Sequence, residues 1–90
     1  MNIEVGKIIS QEVSDLLRDF STKENRANVS INSNISASTL REITYRNQAV
    51  SEYSLPAVKS LLKIARENAV ESEKKSRQSA KELLTILDTI

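Results

Sequence analysis

RANVSINSNISASTLREITY, residues 26–45, is the stretch from which the architecture follows. Its apolar residues are few and regularly placed. Val29 and Ile35 flank a polar run, and Leu40 and Ile43 follow three apart, on one face of a helix. Between them stands Asn34, second only to Gly in taking the left-handed conformation of a tight turn. Ser36, two residues on, is a natural N-cap. The reading is two short helices meeting at a corner. One covers 23–33 and the other opens at Ser36 and runs through 37–43. Val29, Ile35, Leu40 and Ile43 form the buried set, with Ile35 plugging the angle. Ser30 is the small residue where the helices approach, and Ala27 joins Val29 on the inward face. Asn28, Asn32 and Ser33 are poor helix formers. The first helix of the pair therefore depends on its turn and its packing.

The flanks extend the helical pattern. Val5, Ile9, Val13, Leu16 and Phe20 recur at helical spacing, with Ile8 and Leu17 beside them, and predict an amphipathic helix over 3–20. Gly6 costs its first turn about 1 kcal/mol relative to Ala. Ser21 and Thr22 break the pattern and offer caps. Residues 46–54 carry no stripe and read as a loop. Ser54 then caps a helix with Pro56 in its first turn, where the missing N–H costs nothing. Val58, Leu61, Leu62, Ile64, Ala65 and Ala69 give that helix a core face. No Gly or Pro follows Pro56. Residues 71–82 are polar, and Leu83, Leu84, Ile86, Leu87 and Ile90 restore an apolar stripe. One long helix from about residue 55 fits this pattern, with a Ser-filled seam at 72, 76 and 79. A break near 71–76 and a short final helix is the alternative. Glu71–Lys75 and Glu73–Arg77 are i,i+4 pairs on a solvated face.

Composition narrows the class. Ninety residues make one small domain. With one Gly, one Pro, two Tyr, one Phe and no Trp, the chain reads as all-α with an aliphatic core: a compact bundle of four to five helices with a long C-terminal helix. The division expected is 1–70 for the bundle and 71–90 for a helical extension. There is no Cys and no His, so disulfides, Cys/His zinc sites and imidazole chemistry are excluded. The carboxylates are scattered and no Gly-rich phosphate loop exists. Neither an enzyme, a metal nor a cofactor is expected. No apolar run is long enough to span a membrane, and MNIEVGKIISQEV lacks the apolar core of a signal peptide. The expected location is cytoplasmic. Thirteen Lys and Arg against twelve Asp and Glu leave a net charge of +1, so any charged partner must be met by a local patch.

The corner at 26–45 supplies such a surface. Its second helix exposes Ser36, Ala37, Ser38, Arg41, Glu42 and Tyr45. Short side chains at its start allow close approach, and a helix N-terminus attracts phosphate. Arg41 suits bidentate contact with guanine, Ser38 a base edge, and the Ala37 methyl a thymine methyl. Arg26, Arg46, Asn47 and Gln48 flank the helix and suit the phosphate backbone. The expected partner is double-stranded DNA, read in the major groove by a helix over 37–45.

The same residues carry a resemblance. ISASTLREI, a loop, then SLPAVKSLLKIAREN is similar to the phage-repressor-like helix-turn-helix family, of the Cro or Xre type, over roughly residues 7–68. The resemblance implies a small phage or mobile-element transcription regulator, a repressor or an activator, bound as a dimer to a two-fold operator. Asn34 stands where Gly is common in that family, Ser33 where an apolar residue is usual, and the first helix of the pair is unusually polar. Leu83, Leu84, Leu87 and Ile90 lie too far along a straight helix to reach the bundle, and are the candidate dimer seam. A reading from another class is a helical interaction module, an adaptor or inhibitor that docks through that helix without binding DNA.

Overall fold

Asn34 adopts φ 62°, ψ 23° and ends a helix there, its N–H donating to the Ser30 carbonyl at 3.0 Å. Ser36 restarts the chain as a helix, its hydroxyl accepting from the Thr39 N–H at 3.0 Å. The computed structural model describes residues 3–89 and contains four helices: α1 Gln11–Phe20, α2 Lys23–Ser33, α3 Ala37–Thr44 and α4 Leu55–Thr89. Among the described residues there is no strand. No helix is long and apolar enough to cross a membrane. The α2–α3 corner stands as the sequence predicts, with Val29, Ile35, Leu40 and Ile43 all buried. Ala27 is a correction: it is exposed. Weak helix formers hold as α2 because its start is doubly capped. The Thr22 hydroxyl accepts from the Asn25 N–H, and the Asn25 side chain accepts from the Thr22 N–H.

The first helix is shorter than its periodicity predicts. It begins at Gln11, not near residue 3, with the Ser10 hydroxyl capping the Val13 N–H at 3.2 Å. Gly6 sits at φ 85°. Its N–H donates to the Val50 carbonyl at 2.7 Å, and the Val50 N–H returns to Lys7 at 3.0 Å. Pairing with a distant segment satisfies these amides and competes with a helix that Gly6 already weakens. The buried face becomes Ile9, Val13 and Leu17, while Val5, Ile8 and Leu16 are exposed.

α4 starts at Leu55, as the sequence predicts, but its side-chain cap differs. Ser54 is buried, and the cap is one turn earlier, at Ser51. The Ser51 hydroxyl accepts from the Ser54 N–H at 3.1 Å, and the Ser54 hydroxyl accepts from the Ser51 N–H at 2.9 Å. This reciprocal arrangement satisfies two amides that a helix start would otherwise leave open.

The core is aliphatic, centred on Leu17, Leu40, Ile43, Val50, Val58 and Leu61. Its share of α4 ends early: Ala57, Val58, Leu61 and Ala65 are buried, while every described residue from Val70 onward is exposed. The helix is continuous, so the expected long helix forms and no break occurs near 71–76. It projects from the bundle and stretches the molecule to 57 × 26 × 16 Å. Arg77 pairs with Glu73 one turn before it. Ile90, counted above in the C-terminal stripe, lies outside the described residues.

Candidate nucleic-acid interface

Thr22 caps α2, which places Lys23 in its first turn and Arg26 one turn on, along one face. The corner at Asn34 folds α3 back so that its first turn faces them. Lys23, Arg26, Ala37, Ser38 and Arg41 line a notch of about 350 Å³. Three cations and no acid stand in its walls. The amides of Ala37 and Ser38 belong to the open end of α3, where a helix leaves its first N–H groups unbonded. The helix dipole adds partial positive charge there.

Arg26 is the unusual member. The residue is only 9% exposed. Among the described residues its guanidinium makes no ion pair; the three pairs present join Lys7–Glu4, Arg41–Glu42 and Arg77–Glu73. No enclosed side-chain nitrogen or oxygen is left without a partner. The unpaired nitrogens of Arg26 therefore keep solvent contact, and the notch is the opening they line. A charge held this way, in a cleft of one sign with apolar walls behind it, focuses potential outward.

Arg41 bridges the notch to the far end of α3. It makes a long, exposed pair with Glu42 at 3.4 Å, and its guanidinium lies 4.9 Å from the centroid of the Tyr45 ring. Arg18 of α1 lies 4.8 Å from the same centroid. Tyr45 thus fixes two cations through cation–π contact. Arg46 has a different position. It sits at φ 64°, donates through Nε to the Ile9 carbonyl at 2.8 Å, and reaches the Gln11 side chain at 3.2 Å. Asn47 and Gln48 follow it, exposed, beyond the C-terminus of α3.

The residues singled out in the sequence therefore divide. Arg26, Ala37, Ser38 and Arg41 converge on the notch. Tyr45, Arg46, Asn47 and Gln48 gather at the opposite end of α3. Ser36 is taken up by its cap, since its hydroxyl also donates to the Thr39 hydroxyl at 2.8 Å. Lys23 and Arg18 were missed. Lys23 was legible, three residues before Arg26 on one helix. Arg18 was not, because only packing brings α1 beside Tyr45.

Compared with family models, curated proteins and solved structures, the chain matches none. The functional reading rests on its own geometry. Among the described residues no group of His, Cys, Asp and Glu is placed to hold a metal ion.

A second exposed feature lies at the end of α4. Leu83, Leu84, Ile86 and Leu87 are 54–68% exposed. Nearer the bundle, Leu16, Phe20, Leu62, Ala65, Arg66 and Ala69 line an apolar groove of about 240 Å³ between α1 and α4.

Proposed function

We propose that this chain binds duplex DNA, presenting α3 to the major groove while the Lys23–Arg26–Arg41 notch holds a backbone phosphate beside it. The observation that carries this reading is Arg26: a residue only 9% exposed whose unpaired guanidinium opens into a notch with two further cations and the start of a helix. Its stem is enclosed and its charged end faces the notch, so the cation is held in place for an anion entering there. A phosphate in the notch supplies the missing charge and meets the free amides of α3. In this reading Arg41 and Ser38 address base edges, and Ala37 a thymine methyl. Asn47 and Gln48 meet the backbone at the other end of α3, beside Arg46, whose Nε is held by the Ile9 carbonyl and which has only its outer N–H groups for a phosphate, with Tyr45 fixing Arg41 between the two ends. Ser36 shapes the helix end and touches no base.

The chain would act by occupancy, as a small transcription regulator of the phage-repressor kind, dimerised through Leu83, Leu84, Leu87 and Ile90. Selection from a random duplex pool at about 150 mM salt tests it. Recovery of a two-fold motif supports the reading. No enrichment by folded protein overturns it. Arg26→Gln should weaken binding across all sequences and lower the salt slope by about 1, as loss of one phosphate contact does.

The bare second half of α4 favours one other reading, a helical module that docks on another protein. Salt separates the two. Phosphate contacts weaken steeply with added salt, while apolar docking through Leu83 and Leu87 hardly changes.

A further inference from the structure

Two uncovered apolar surfaces lie on the same face of α4. Leu62, Ala69, Ser76 and Leu83 recur every seven residues, so the wall of the α1–α4 groove and the apolar end share one stripe. The two differ in shape. The groove is concave, walled by Leu16 and Phe20 of α1 on one side and by α4 on the other, and apolar atoms alone line it. The end is a single bare helix, hence convex.

We infer that the occupant of each groove is the C-terminal end of α4 from a second copy, the two helices running antiparallel with their midpoint near Lys74. This rests on the dimer proposed above and specifies its geometry. The stripe is self-complementary about that midpoint. Leu62 and Ile86 are equidistant from Lys74, and so are Ala65 and Leu83, Ala69 and Ser79, and Ser72 and Ser76. Antiparallel pairing therefore seats Leu83 and Ile86 of one copy against Ala65 and Leu62 of the other, and brings the small Ser residues together at the centre. Shifting one helix by a heptad sets Leu83 against Ser72 in one direction; in the other it sets Leu62 against Ser79 and carries Leu83 to Val58, which is already buried in the bundle. A parallel pair brings groove against groove, and two concave surfaces do not fill one another. A large aliphatic side chain more than half exposed offers on the order of 100 Å² of apolar surface. Four such side chains on each end bring roughly 800 Å² of apolar surface from the two copies, to which the groove walls add, toward the range of stable interfaces, about 1,200–2,000 Å².

The test uses the full chain and needs no DNA. It contains no Cys, so Thr89→Cys carries a single spin label per copy. In the antiparallel dimer the two labels stand about 45 Å apart along the helix axis, at 1.5 Å per residue from the midpoint. In a parallel dimer they lie within about 20 Å, given helix axes 8–10 Å apart. Sedimentation, from dilute to concentrated solution, accompanies the distance measurement. A dimer with the long distance is expected. Leu16→Asp in the groove and Leu87→Asp at the end should each yield monomers, with the helix content by circular dichroism that the parent has at dilution, where it too is monomeric. A dimer with the short distance overturns the antiparallel geometry and leaves dimerisation standing. A monomer at every concentration overturns both. Loss of the dimer in Leu87→Asp alone, with Leu16→Asp folded and dimeric, removes the groove as the acceptor.

Discussion

The Ser14 hydroxyl donates to the Thr44 carbonyl at 2.7 Å, thirty residues along the chain, inside the core. Both residues are buried. This bond ties α1 to the last turn of α3, where the helix leaves its carbonyls without intrahelical partners. It fixes how far α3 stands from the bundle, and so where the notch and Tyr45 face.

Ser14→Ala should therefore be costly for so small a change. It removes the donor and leaves a buried carbonyl open, a loss of about 1–3 kcal/mol. Thermal unfolding checks this. A domain of this size loses roughly 4–8 °C of Tm per kcal/mol. An unchanged Tm means that Thr44 finds another partner.

At Asn34 the backbone lies in the left-handed region, so substitutions should sort by backbone preference rather than by side-chain size. Asn34→Gly is expected to keep or slightly raise stability. Asn34→Val should cost about 1–2 kcal/mol. Urea unfolding should show a lower midpoint for the Val variant with the slope unchanged, since the surface exposed on unfolding is the same. Equal midpoints for both variants contradict the account of the corner.

Arg41 differs from Arg26 in what it should do to binding. Arg26 is held in the notch, whereas Arg41 is exposed and reaches past Tyr45. Arg41→Ala is expected to lose about 1–3 kcal/mol on the selected site and to relax the preference at one base pair. Fluorescence anisotropy against single-base variants of the site reads both effects. An Arg41→Ala protein with parental affinity and parental preference is no base reader with one contact missing, and that result removes Arg41 from the recognition surface.

Every described residue from Val70 to Thr89 is exposed, so this part of α4 buries no face of its own. A helical extension without a packed face has little stability of its own. Its amides should exchange rapidly in dilute solution, while those around Leu17, Leu40 and Leu61 are protected. Protection over 71–89 should rise with protein concentration as copies pair. Hydrogen exchange followed by mass spectrometry at two concentrations measures this. Strong protection that ignores concentration contradicts an unpartnered end.

Local chemistry was legible and long-range pairing was not. Asn34 and Ser36 announced the corner because a left-handed turn and a cap depend on one residue each. Val29, Ile35, Leu40 and Ile43 announced its buried side because a helix places residues three and four apart on one face. Periodicity and the absence of Gly and Pro after Pro56 pointed to four or five helices with one long α4, and the structure has four with α4 unbroken. The first helix was misjudged because Gly6 and Val50 meet only after the chain has folded. The cap of α4 was misjudged by one turn because Ser51 and Ser54 offer the same chemistry, and packing chose which one is buried.

By itself, then, the sequence determined an all-helical chain, its breaks from Ser21 onward, and a corner with cations on both sides of it. Tertiary structure alone decided which cations act together. Lys23, Arg26 and Arg41 share a notch because α3 folds back on α2. Arg18 and Arg41 share Tyr45 because α1 packs beside α3. Arg46 turns inward to the Ile9 carbonyl. The reason is one of range. Helix and turn preferences are set within a few residues, whereas a side chain's neighbours from other helices are set by how the buried faces fit together, which no local pattern states.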